Sequence, residues 1–371
     1  MNRWTVDDLS QSILFPQRAA HFSLEQWQEW LFMLRHANLL ASFYWQAEKH
    51  QCIESYPEQV QRHLFSARNY QQRQQQQVLY EVSEIKRILV ASGIECVFLK
   101  GANYILRQCS TAKGRILSDI DILVKQGELL EAEKMFKLNN WQLKKVSDYD
   151  EQYYRKWAHE IPPLRHPLRG TVVDMHHNLY LPISGRAPKI ELFWQHTEQL
   201  DDGSIVLNAP ASLLHSIIHL FMNEDFTNAY RDMLDIHLLI ADYQSTDFWQ
   251  NLTELAKQTG FQDELSMALV LRARLFRGDV PRELTNEVQT FAAKPSNRLL
   301  LNVYQHAITP NHTLLTTWRS ATARSVAYVR GHWLKMPIHV LCKHFSVKLW
   351  LAFLQHILGK QTDTQNMLQK S

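Results

Sequence analysis

A chain of 371 residues, with 45% hydrophobic and 11% aromatic side chains, can bury a sizeable core; this excludes a disordered protein and predicts two or three domains. Four scattered cysteines (Cys52, Cys96, Cys109 and Cys342) lack Cys-x-x-Cys spacing, which excludes a disulfide framework or a zinc ribbon. The net charge of +3 hides an asymmetry: residues 288–362 contain no Asp or Glu and carry Lys294, Arg298, Arg319, Arg324, Arg330, Lys335, Lys343, Lys348 and Lys360, so the remainder is net acidic.

Residues 1–93 read as an N-terminal helical region. It opens without a signal-peptide apolar stretch, and no run of about 18 apolar residues follows anywhere in the chain. The cytoplasm is the expected location, with peripheral membrane contact left open by the basic segment. A helix is predicted over Leu24–Gln46, with Ser23 as N-cap. Pro57 precedes a long polar helix whose Gln71–Gln77 stretch reads as a solvated middle, since apolar periodicity resumes at Val78, Leu79, Val82 and Ile85.

Residues 94–208 carry the strands. Val97–Leu99 reads as a short buried strand ended by Lys100-Gly101, with a helix from Ala102 to Gln108. Glycine at such a turn lets the backbone approach a ligand, and Lys100 adds charge for phosphate. Ser118-Asp119-Ile120-Asp121-Ile122-Leu123-Val124 alternates acid and branched apolar residues. On a strand this puts Asp119 and Asp121 on one face and the isoleucines on the other. Two carboxylates so close repel unless a cation sits between them, and magnesium is the usual remedy. A polar outer strand face is the plain alternative. A helix over Glu128–Leu138 and strands over Trp141–Val146 and Tyr153–His159 follow. Val172-Val173-Asp174-Met175-His176 is a further strand-like run, with Asp174 and His176 sharing a face. Ser204–Leu207 is the last predicted strand.

Residues 209–371 read as a C-terminal helical domain. Helices are predicted from Pro210, over Met233–Tyr243, Asp247–Gln258 and Asp263–Phe276, and on through the basic segment. His215 and His219 stand one helical turn apart. Ser216 follows His215 where a metalloprotease needs glutamate, so a structural or substrate-contacting role is preferred over metal. The acid-free segment, with Trp318, Trp333, Phe345, Trp350 and Phe353, fits either an anionic partner (lipid headgroups, RNA) or packing on the acidic part of the chain; packing is preferred.

Taken together, Lys100-Gly101, Gly114-Arg115, Ser118 to Val124, and Val173-Asp174-Met175-His176 resemble the uncharacterised nucleotidyltransferase family of the polymerase-beta-type superfamily. His215 to His219 and Leu234-Asp235-Ile236 are similar to that family's later helical motif. The resemblance covers roughly residues 80–245. It implies an α+β fold: a small mixed nucleotidyltransferase sheet with helices, flanked by the two helical regions. It implies magnesium, with manganese as substitute, held by Asp119, Asp121 and Asp174. Asp174 would also help activate the acceptor. A nucleoside triphosphate such as ATP would be donor, contacted by Lys100, Gly101, Arg115, Ser118, His176 and Asp235. Ala102 stands where the wider superfamily has a phosphate-touching serine.

The expected reaction is metal-dependent transfer of a nucleoside monophosphate to an unidentified hydroxyl or phosphate on a small molecule, glycan precursor or protein. A toxin-like enzyme acting on RNA and a non-catalytic nucleotide-binding module of the same fold are the alternatives.

Overall fold

The computed structural model describes residues 4–337, with side chains 148–150 set aside. Lys343, Lys348, Lys360 and Cys342, and the aromatics Phe345, Trp350 and Phe353, lie outside the described residues.

The first helices are α1 (Val6–Leu14), α2 (Leu24–His36), α3 (Leu40–Lys49) and α4 (Glu58–Val90). Ser23 caps α2 as the sequence predicts: its hydroxyl accepts from Gln26 N, and the Gln26 side chain accepts from Ser23 N. The single helix expected to reach Gln46 is instead two. Asn38 takes φ +56°, a left-handed turn that asparagine tolerates and that ends α2. The break lets α2 and α3 fold together around Trp27, Trp30 and Phe43, which are fully buried and meet largely edge to face.

The sheet region comprises β1 (Cys96–Phe98), α5 (Lys100–Leu106), β2 (Ile120–Val124), α6 (Leu129–Leu138), β3 (Gln142–Leu143), α7 (Asp148–Trp157), β4 (Leu164–Arg165), β5 (Val172–His176), α8 (Ile190–Gln195), β6 (Thr197–Gln199) and β7 (Ile205–Leu207). The strand order is β3-β4-β5-β2-β1-β7-β6. β2 is central, antiparallel to β1 and parallel to β5, and all five of its residues are buried. The fold is therefore mixed, with a seven-stranded sheet and helices on both sides of it in the chain, as expected. One strand was misread. Tyr153–His159 belongs mostly to α7, where helical spacing pairs Arg155 with Glu151 and sets Tyr153 against Trp157; local i to i+4 contacts outweigh the β preference of the aromatics. The two-residue β4 and the short β6 carry no alternation long enough to read.

The remaining helices are α9 (Ala209–Met222), α10 (Ala229–Asp242), α11 (Thr246–Thr259), α12 (Gln262–Phe276), α13 (Thr285–Ala293), α14 (Pro295–Ala307) and α15 (Trp318–Lys335). α1 packs back on this group, and Ser10 on α1 hydrogen-bonds the Tyr230 hydroxyl at 2.8 Å. Among the described residues, no helix is long and apolar enough to cross a membrane.

The glutamine run of α4 differs most from its expected solvated state. Gln71 is fully buried and donates to the Ala112 carbonyl. The Gln74 carboxamide accepts from Leu117 N at 2.9 Å and donates to the Leu117 carbonyl, like a neighbouring strand. Glu81, also buried, takes a two-pronged contact from Arg169 at 2.6 and 2.9 Å and a bond from Thr171. α4 thus straps down both segments that lead into β2 and β5.

Gly114 sits in the first of these segments at φ +97°. A Cβ there would fall 2.4 Å from the Ser42 Cα. Strain and overlap with backbone add, so Gly114→Ala should lower unfolding free energy by about 2–4 kcal/mol. Denaturant unfolding reads this, and a loss under about 0.5 kcal/mol would contradict the close packing of α3 on this loop.

Candidate active site

β2 and β5 run parallel with Asp121 directly opposite Asp174 and Leu123 opposite His176. Adjacent partners in a sheet face the same way, so Asp121, Asp174 and His176 share one face. Asp119, just ahead of β2, lies close enough for Asp121 to raise its pKa. Val173, Met175, Ile120 and Ile122 fill the other face and are buried.

The three carboxylates are in unlike states. Asp121 Oδ1 is shared by Lys100 Nζ at 3.0 Å and His176 Nε2 at 2.9 Å. Burial alone would raise its pKa, but Lys100 and His176 hold it well below the usual carboxylate range. Asp174 receives little such help, Lys100 offsetting only part. Burial, then Glu160 and Asp119, push it well above its ordinary value, and its Oδ1 is buried without a partner. Asp119 is also raised, by burial and by Asp121, with Lys100 and Ser118 offsetting part. The face therefore carries one ionised carboxylate and two whose charge lacks a counterion.

Lys100 is itself constrained. It takes φ +41° at the start of α5, a left-handed conformation that a lysine adopts only under support. Burial would lower its pKa, but Asp121 and Asp119 more than offset that and raise it. Gly101 and Ala102 are buried. A Cβ on Gly101 would lie 2.7 Å from Leu117 Cγ, so the glycine admits Leu117. Ser118 is exposed beside Asp119.

Arg115 lies buried between Asp235 and Asp232, with its Nη1 bonded to Asp235 and 3.2 Å from Asp232 Oδ1. Thr111 also donates to Asp235. Arg231 shares Asp232 at 3.0 Å. This ion cluster ties α10 to the loop before β2. His215 and His219 on α9 face the same interior. Burial, with Lys100 nearby, holds His215 well below the ordinary histidine range and His219 at about 3, so both are neutral.

Sequence reading missed two neighbours. His159 and Glu160, just after α7, reach the site through a bridge between Glu160 and His176. Glu160 Oε2 lies 3.4 Å from His176 Nδ1. Burial, with His176 adding, keeps His159 neutral. The paired signal was Ala158-His159-Glu160, hidden by the strand assigned there.

A cleft of about 190 Å³ opens beside Asp119, lined by Gln74, Gln77, Ser118, Arg169 and Thr171 among others. A larger cavity, about 980 Å³, lies against the other glutamines of α4 with Trp45, Arg107 and Lys113 and holds none of the three aspartates. The smaller cleft is the one that chemistry favours.

The family comparison bears on what this arrangement belongs to. The chain belongs to the family described as "Uncharacterised nucleotidyltransferase", whose model matches residues 23–277. No curated protein and no solved structure matched the chain. The family indicates nucleotidyl transfer in general.

Two outcomes follow. Asp119 and Asp174 hold protons more tightly in the folded than in the unfolded chain, so the native state binds more protons above the ordinary value of 3.8. Stability from these groups must then fall as pH rises. Asp121 acts oppositely, stabilising above 3.8 and losing that as acid protonates it in the folded state. Asp174→Asn should therefore melt higher than the native chain at pH 8, with the gain vanishing near pH 4; a gain independent of pH contradicts the assignment. Removing Arg115 takes the ion partner from buried Asp235, while Asp232 keeps Arg231, so Arg115→Ala should cost about 3–5 kcal/mol in denaturant unfolding. A loss below about 1 kcal/mol would mean the cluster is solvated.

Proposed function

We propose that this chain is a magnesium-dependent nucleotidyltransferase that moves a nucleoside monophosphate from a nucleoside triphosphate to a hydroxyl or phosphate acceptor. The observation that carries the reading is Asp174: a buried carboxylate oxygen without a partner, in register with Asp121 on the neighbouring parallel strand. Two carboxylates without counterions, on one face with a third, form an oxygen donor set suited to magnesium or manganese. Asp119, Asp121 and Asp174 would hold the ion; when bound it supplies positive charge at the reacting phosphoryl group and lowers the pKa of the attacking group.

The other roles fall to the chain. Lys100 and His176 fix Asp121 through Oδ1. Asp174, in register with Asp121 and with one carboxylate oxygen unpartnered, would accept the proton of the attacking hydroxyl. Exposed Ser118, at the mouth of the cleft beside Asp119, meets the phosphates, while buried Gly101 shapes the turn beneath them. Arg115 and Asp235 act by setting the loop that carries Ser118 and Asp119. Residues 94–208 would thus form the catalytic part, with 1–93 and 209–371 as helical flanks that shape acceptor access.

A small acceptor is favoured over RNA by one observation. Among the described residues of the basic segment, Arg324 and Arg330 donate to backbone carbonyls of the chain and Lys335 pairs with Glu224. They are used for packing. Cytoplasmic location, with ATP as first donor to test, completes the proposal.

The test is pyrophosphate release from each of the four nucleoside triphosphates with magnesium, supplied with pooled hydroxyl and phosphate acceptors. Asp119→Asn should cut the rate at least about 100-fold with an unchanged melting temperature at acidic pH. Equal rates in the folded variant would sink the reading.

A further inference from the structure

Donor atoms converge at a second place. His159, Glu160 and His176 each present one ligand atom, and all three atoms lie within 4.8 Å of one another. Among the described residues, the three aspartates do not draw together so closely.

The backbone holds this group in place. Glu160 and His176 are antiparallel bridge partners. Ile161 N donates to the Met175 carbonyl at 3.1 Å, and His177 N donates to the His159 carbonyl at 2.8 Å. The three ligands are thus fixed by main-chain bonds on both sides of the bridge.

The side chains suit a metal ion of a particular kind. His176 Nδ1 faces Glu160 Oε2 at 3.4 Å. That separation is the edge of a tetrahedron with bonds of about 2.1 Å, the usual length for zinc to nitrogen or oxygen. The other ring nitrogen of His176, Nε2, lies 2.9 Å from Asp121 Oδ1. Metal-bound imidazoles commonly donate their far N–H to a carboxylate, which fixes the tautomer and turns the lone pair toward the ion. His159 brings a buried Nδ1 with no hydrogen-bond partner, and its ring lies 5.2 Å from that of His176. A buried ring nitrogen left unpaired is unfavourable unless something fills its place.

We propose that His159, Glu160 and His176 bind one divalent transition ion of the zinc class, in a site separate from the three aspartates. Two imidazoles and one carboxylate favour such an ion over magnesium, which prefers oxygen donors. Three protein ligands leave a fourth position for water or substrate. The bound ion would lock His176, and through it Asp121, so the two sites share one wall. This inference does not depend on nucleotidyl transfer.

The probe is cobalt(II), a zinc surrogate with visible absorption. The full chain is stripped with chelator and titrated with cobalt. One equivalent should bind with the intense bands of a low-coordinate site, displaced by one equivalent of zinc and untouched by excess magnesium. Glu160→Gln and His159→Ala should each weaken cobalt binding at least about 10-fold, while Asp119→Asn leaves it intact. Circular dichroism checks folding; if His159→Ala does not fold, Glu160→Gln decides. No bands, equal affinity in Glu160→Gln, or loss of binding in Asp119→Asn would each overturn the site. Pyrophosphate release, measured separately, shows whether the nucleotidyltransferase reading fails on its own.

Discussion

The carboxylate of Asp121 is buried, and Lys100 and His176 share one of its oxygens. Around this contact the sheet, the turn before α5 and the end of β5 have fixed relations. An ionised carboxylate cannot stay buried without partners, so Lys100 must reach it, and its left-handed backbone angle is the local cost of that reach. Lys100 and His176 both bond Asp121, while burial and neighbouring carboxylates raise the proton affinity of Asp119 and Asp174.

Much of the molecule supports that arrangement. α4 reads as a surface helix, yet its glutamines and Glu81 hold the segments that enter β2 and β5. A carboxamide carries both a donor and an acceptor, so it can pair with a peptide group as a strand would. Arg115, clamped by Asp232 and Asp235, ties α10 to the same loop from the far side. Gly114 allows that loop to pass against the backbone of α3. The site is thus held by long-range side-chain contacts rather than by the short strands alone.

These supports explain what could be read in advance. Asp119, Asp121, Asp174 and His176 were legible because a strand of period two puts alternate residues on one face, and the register of β2 with β5 kept them together. Long helices were legible for the same reason at period 3.6. The break at Asn38 was not, because it rests on one left-handed residue rather than on a pattern. The burial of Gln71 was hidden because Trp45 and Ala112, which it bonds, lie more than 25 residues away. His159 ends the predicted strand Tyr153–His159 and Glu160 lies just past it, and only the bridge to His176 shows what they face. Arg115 and Asp235 were read as nucleotide contacts; their pairing with each other was invisible, since sequence shows charges and not which of them meet.

The most direct test of the account is calorimetric titration of the four nucleoside triphosphates into the full chain, with and without magnesium, beside an Asp119→Asn/Asp121→Asn double variant. The account predicts that at least one nucleotide binds only with magnesium and that the double variant, still folded, does not bind it. Nucleotide binding that ignores magnesium, or that survives in the double variant, would contradict the claim that these carboxylates form the metal–nucleotide site.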